Sequence, residues 1–363
     1  MTPVKRRKRL RYTKHAVRSL LKLNPSPWRW SVGIEAGVAM LLPMGLFTLL
    51  GNQTFGLIAA LGGFTALYCA KLQRNDRVRV LPILALGFIV CSTLGVLCSG
   101  NEWLTIACQI FVTALSCLLS VGFGIGSPGP LMFVLVTALS GRMANTVNLR
   151  NTYLQEYTIP LLVALGSILA ILVVLAPLAI PSFRKRIGAA SGLQHLYPKL
   201  KLDQQNKTII IRVVIAVTLA SFLSKPLGAH RAYWVVISTI AILQSGHNRR
   251  LTNIKALHRV LGTLLGVLIF EAIMLVKPSG LLLVMIIAIL QFATEVVVGR
   301  NYGLALLFIT PLALTNSTAS ATGNINITIQ GRMSDMLFGA IIAMLVFWIG
   351  EWLKQRKAYL RSV

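Results

Sequence analysis

Glu271 falls inside an apolar run, eleven residues beyond Val260. At a helical rise of about 1.5 Å per residue it would lie about 17 Å along a span, near the middle of a bilayer core. A carboxylate at that depth reads as functional, because burial raises its pKa towards neutrality and suits it to proton exchange. If the span ends sooner, the same residue sits at an interface beside Lys277. Gln291 and Glu295 are one turn apart and share a helix face. Glu295 either forms an ion pair with Arg300 or the nearby basic loop, or serves as an inner gate or proton exit. Arg332 and Asp335 are spaced three apart, so they either pair locally or leave Arg332 to offer its planar donors to a carboxylate. Arg249, Arg250 and Arg259 precede Gly262; they either anchor topology or attract an anion through their field. Tyr233, Trp234 and Tyr302 supply aromatic surface nearby.

The elements that must position these groups are apolar stretches near 31–50, 55–70, 80–98, 103–121, 130–141, 157–179, 207–223, 232–244, 260–276, 280–298, 302–315 and 333–352. A span needs about 20 mostly apolar residues, fewer where neighbours shield it. The fifth and eleventh are short and hold or border Pro128, Pro130 and Pro311, which predicts broken helices there. Of 36 Lys and Arg residues, thirty fall in the two tails or in and beside alternate gaps. Only Arg142, Arg150, Lys225, Arg231, Lys277 and Arg332 fall in the gaps between. Positive charge resists translocation, so the alternation predicts a multi-pass protein with both termini in the cytoplasm. A basic segment at 1–30 would lie on the lipid surface as topology anchor or lipid sensor. It is followed by a membrane half at 31–179, a connector at 180–206, a second half at 207–352 and a basic tail at 353–363.

The chain repeats itself. Ser92-Thr-Leu-Gly95-Val-Leu is echoed by Thr263-Leu-Leu-Gly266-Val-Leu, 171 residues on. Six spans per unit keep the halves in the same orientation, so the predicted fold is all-α, about twelve transmembrane helices as two parallel six-helix repeats. Gly95, Gly262, Gly266 and Gly339 read as helix-packing positions, small enough for a second helix to approach. Glu271 lies nine residues from Gly262, about 180° around the helix, and points away from that seam to another neighbour or a cavity. At the same offset Glu271 maps to Gly100 and Glu295 to Gly124, so a charged site would be asymmetric and drawn mostly from the second half. The glycines at 122, 124, 126 and 129 offer irregular backbone to the same cavity.

Composition excludes other classes. Mean hydropathy of +0.73 with 12% charged residues is foreign to a soluble domain of 363 residues. A net charge of +27 invites nucleic acid, yet the basic residues form short runs flanking apolar segments, where anionic lipid headgroups are the better partner. The five cysteines and five histidines show no metal-ligand spacing. Neither a Walker loop, nor G-x-S-x-G, nor H-E-x-x-H is present, so no enzyme and no cofactor are expected.

Several motifs of the second half stand in a recognisable succession: Tyr233-Trp234, Arg259-Val-Leu-Gly262-Thr263-Leu-Leu-Gly266, Asn301-Tyr302, Phe308-Ile-Thr310-Pro311 and Arg332-x-x-Asp335-x-x-x-Gly339. This order resembles the FUSC domain of fusaric acid resistance proteins and aromatic acid exporters, a family related to plant aluminium-activated malate channels. The resemblance is specific over about 230–345. It implies export of aromatic or other amphipathic organic anions across a bacterial inner membrane, coupled to protons, in a monomer or homo-oligomer. A passive anion channel and a non-transporting envelope-assembly protein are the alternatives. Glu271, Glu295, Gln291, Arg259, Tyr233, Trp234, Tyr302, Arg332 and Asp335 are the residues expected along the pathway.

Overall fold

Backbone surrounded by hydrocarbon must satisfy its own N–H and C=O groups, and runs of Leu, Ile, Val and Ala do this by forming helices. The computed structural model describes residues 23–149, 157–181, 200–227, 229–244, 249–319 and 325–362. Among the described residues there are twelve α-helices and no strand. The first half holds α1 (Trp30–Leu49), α2 (Gln53–Gly62), α3 (Arg74–Leu97), α4 (Glu102–Gly122), α5 (Leu131–Leu149) and α6 (Thr158–Leu175). The second holds α7 (Gln204–Leu223), α8 (Ala229–Leu243), α9 (Arg249–Leu275), α10 (Gly280–Val298), α11 (Tyr302–Ala319) and α12 (Ile325–Ser362). The protein is an all-α polytopic membrane protein. Eight helices, all except α2, α5, α8 and α11, are long and apolar enough to cross a membrane.

The structure moves the broken elements. The fifth and eleventh stretches are continuous helices of 19 and 18 residues, and Pro311 is accommodated within α11. Their apolar runs end early because Ser140, Thr315 and Ser317 are polar, yet these side chains are buried against protein and the helix continues. The short elements are instead α2, ten residues followed by a 3-10 turn over Gly63–Leu67, and α8, fifteen residues. Both are central: Ile58, Ala59 and Ala66 are fully buried, as are Val235, Val236 and Ile240. The long helices surround them and expose Leu86, Leu265, Leu268 and Ile289, a surface suited to acyl chains rather than water.

The same pairings occur in both halves. α3 packs on α5 and α9 on α11; α2 packs on α6 and α8 on α12. The halves interlock through α1 against α10 and α7 against α4. Small residues make these seams. A Cβ on Gly95 would collide with the Thr137 carbonyl of α5, and one on Gly266 would stand 2.6 Å from Thr310 Cβ of α11. At Gly262 it would be 2.6 Å from Leu306 Cβ, and at Gly339 it would be 2.6 Å from the Val235 carbonyl of α8. Gly33 and Gly37 do the same for α1, whose added Cβ atoms would meet Val296 and the Ala288 carbonyl of α10 at 2.6 and 3.0 Å.

Charged clusters brace the helix ends. Glu35 on α1 accepts from Arg74 and Arg77 of α3 at 2.6 and 2.7 Å. Glu351 on α12 accepts from Arg212 of α7 at 3.0 Å and Arg249 of α9 at 2.9 Å. Arg249 is therefore held in an ion pair within the fold. α12 runs unbroken past residue 352 to Ser362, so the tail continues the last span. The greater part of the basic segment at 1–30 and of the connector at 180–206 lies outside the described residues.

Candidate functional site

α8 is short and buried among the longer helices, and arginines from three of them meet it. Arg142 of α5 donates from Nη1 to the Tyr233 hydroxyl at 2.9 Å. Arg332 of α12 stacks on Trp234, its guanidinium carbon 3.6 Å from the ring centroid. Arg259 of α9 donates from Nε to the Ser238 hydroxyl at 3.1 Å and from Nη1 to the Tyr302 hydroxyl at 2.8 Å. Tyr233 and Trp234 are themselves in ring contact, centroids 4.5 Å apart. Three cations thus converge on one short stretch of helix, Tyr233 to Ser238.

They border a cavity of about 820 Å³ between the two halves. The second half supplies Trp234 and Gln244 of α8 and the residue just beyond it, Lys255 and Arg259 of α9, Gln291, Thr294 and Glu295 of α10, Tyr302 of α11 and Arg332 of α12. The first half supplies Arg29, Arg142 and the turn from Gly124 to Pro130. Gly124, Gly126 and Gly129 have φ of +64°, +81° and +63°, a region L side chains rarely adopt, so the turn needs glycine. The Tyr68 hydroxyl donates to the Gly129 carbonyl at 2.5 Å and fixes the turn's position. Apolar side chains, Leu57, Leu61, Leu135 and Ile237 among them, complete the wall.

The cavity is electropositive. Among the described residues, five basic side chains line it (Arg29, Arg142, Lys255, Arg259, Arg332) against one carboxylate, Glu295. That carboxylate faces Arg29 at 3.5 Å, rather than Arg300 or the basic residues at 249–259, which form the start of α9. Arg300 instead donates to the Ser26 carbonyl at 2.9 Å and lies over Trp28. Asp335 is fully buried one turn beyond Arg332 and within its electrostatic reach. It does not satisfy the Arg332 Nε and Nη1 nitrogens, which make no hydrogen bond among the described residues.

Of the nine pathway residues expected from sequence, Trp234, Arg259, Gln291, Glu295, Tyr302 and Arg332 line the cavity. Tyr233 is buried behind it and reaches it through Arg142. Asp335 is likewise behind the wall. Glu271 does not join them: it is exposed on the outer surface of α9. It does stand opposite the glycine seam, but that seam faces α11 and its opposite side faces outward. Sequence reasoning missed Arg142, Lys255, Arg29 and Gln244. Arg142 had a signal: a cation within the hydrophobic half of the pattern, on the side where positive charge is scarce.

Residues 215–346 match the FUSC_2 family model, fusaric acid resistance protein-like. The chain is also similar to the uncharacterized membrane protein YvaC of Bacillus subtilis (strain 168), with 30% identity over 124 residues, or 34% of this chain and 20% of that protein. The similarity thus spans about a fifth of that relative's length. No solved structure matches the chain. The matched region contains α8 to α11 and most of α12, the helices that supply Trp234, Arg259, Glu295, Tyr302 and Arg332 to the cavity, so the part of this membrane protein that is similar to the fusaric acid resistance protein-like family is the part that builds most of the site.

Proposed function

We propose that the protein moves amphipathic organic anions, such as aromatic carboxylates, out of a bacterial cell through the cavity between its halves. The observation that carries this reading is the balance of the lining, five basic side chains to one carboxylate, beside apolar wall. A low-dielectric cavity of that composition favours a ligand with a negative end and an apolar body, since charge is stabilised by fixed donors and the remainder by contact. The family match supports transport of organic acids in general.

In this reading proton coupling falls to Glu295, the carboxylate in the lining, and not to Glu271. Proteoliposomes preloaded with unlabelled benzoate provide the test, with uptake of labelled benzoate by counterflow as the readout. Saturable counterflow that a panel of aromatic carboxylates inhibits is the expected result. Entry that is linear in concentration and accompanied by large single-channel currents would support a passive channel instead.

A further inference from the structure

We infer that Arg332 is the residue that grips the oxyanion of the transported ligand, and that Trp234 is the platform that holds its guanidinium ready. This inference rests on the reading of the cavity as an organic-anion site and assigns the specificity within it. The three arginines around α8 are not equivalent. Arg259 has Nε and Nη1 both committed, to Ser238 and Tyr302. Arg142 has Nη1 committed to Tyr233. Arg332 lines the cavity and is only 3% exposed, yet its Nε and Nη1 have no hydrogen-bond partner among the described residues.

A buried guanidinium with unmet N–H groups costs free energy, because water is excluded and nothing replaces it. Buried polar groups are almost always satisfied, so exceptions at a cavity wall call for a partner that arrives from outside. Two features fix what that partner is. The Trp234 ring lies 3.6 Å from the guanidinium carbon and covers that face, so an arriving partner must meet the group at its edges. Donors in the plane of a guanidinium match the in-plane oxygens of a carboxylate, and a spherical halide can use them far less well. Asp335 balances part of the charge from behind, so Arg332 is held within the fold until an anion completes it. The arginine that cannot be exchanged for Lys without loss of anion binding is therefore Arg332, not Arg259.

The test uses purified full-length protein in lipid nanodiscs, titrated with sodium benzoate at constant sodium chloride. Binding is followed by calorimetry. Wild-type and Arg249→Lys protein, whose altered residue lies outside the cavity, should bind alike, and Arg332→Lys should weaken binding by about ten-fold or more because Lys lacks the planar fork. Equal binding by wild type and Arg332→Lys overturns the assignment and leaves the cavity reading intact. Absence of benzoate binding to wild type overturns the cavity reading, and this assignment with it. Should Arg332→Lys fail to fold, Trp234→Phe gives the second arm. Benzoate bound beside Trp234 should change tryptophan emission in wild type, and most of that change should vanish in Trp234→Phe. An emission change undiminished in Trp234→Phe places the anion elsewhere and overturns the assignment.

Discussion

Arg29 and Glu295 face one another at 3.5 Å, although one precedes the first helix of the first half and the other lies near the end of α10 in the second. The pair lies on the α1–α10 seam, where Gly33 and Gly37 bring the helices together. The preceding segment is tied to the same place. Asn24 donates its backbone N–H to the Arg300 carbonyl at 2.8 Å, and Asn24 and Arg29 both line the cavity. Part of the cavity wall is therefore chain from one half fastened to helices of the other.

That placement gives Glu295→Gln a separable effect. The ion pair is partly open to solvent, with the Arg29 side chain 24% exposed, so its loss should cost about 1 kcal/mol or less of stability. If Glu295 is the group that exchanges protons, uphill benzoate efflux driven by a pH gradient should fall by about ten-fold or more, the scale of removing a proton-transfer group. Counterflow without a gradient should persist. The measurement is the ratio of the two rates in the same proteoliposomes; a ratio equal to wild type would relieve Glu295 of the role.

Glu271→Gln is expected to leave counterflow within about two-fold of wild type, the small effect of an exposed change remote from the site. Glu271 is exposed on α9 and absent from the cavity lining. A loss of transport with normal insertion would mean that this surface meets another subunit.

Packing glycines should separate cleanly from bystanders. At Gly95 the obstacle to a Cβ is backbone of α5, and at Gly266 it is Thr310 together with the Leu306 carbonyl at 2.9 Å. Neither can move as a flexible side-chain tip would. Gly95→Ala and Gly266→Ala should each destabilise by about 1–3 kcal/mol, as overpacked sites do. At Gly45 in α1 an added methyl would find nothing within 4 Å, so Gly45→Ala should be neutral or slightly stabilising. Thermal unfolding of the three variants in one detergent, followed by tryptophan emission, ranks them.

The sequence carried the helical class, the packing glycines and most of the cavity because each leaves a one-dimensional trace. Gly262 and Gly266 are four apart, and Arg259 and Tyr302 stand next to them in the two helices that this seam joins. The residues that broke the charge alternation were a better guide to the cavity: of its six exceptions, Arg142 and Arg332 line it. Lys225, a third, pairs with Glu102 at 3.3 Å on the surface, so the exception alone does not suffice. The helix carrying Glu271 was legible but the residue's surroundings were not, since the helix face opposite a packed seam can meet either protein or lipid. The Arg29–Glu295 pair joins residues far apart in the chain and in different halves, and no local pattern announces such a contact.

The charge alternation predicts an orientation in the membrane that can be tested at positions the fold leaves accessible. Asp76, in the first turn of α3, is 2% exposed and would resist labelling for reasons unrelated to sidedness. Gln73, three residues earlier and exposed, serves instead, and Tyr359 at 69% exposure reports on the end of α12. Asn101 is exposed between α3 and α4 and reports on the opposite side. On a background without the five native cysteines, single cysteines at 73, 101 and 359 are treated with an impermeant maleimide in intact cells. Cytoplasmic basic ends require strong labelling at 101 alone, with 73 and 359 reacting only after the cells are opened. Strong labelling of 73 in intact cells would invert the orientation and place the Arg29–Glu295 pair towards the outside.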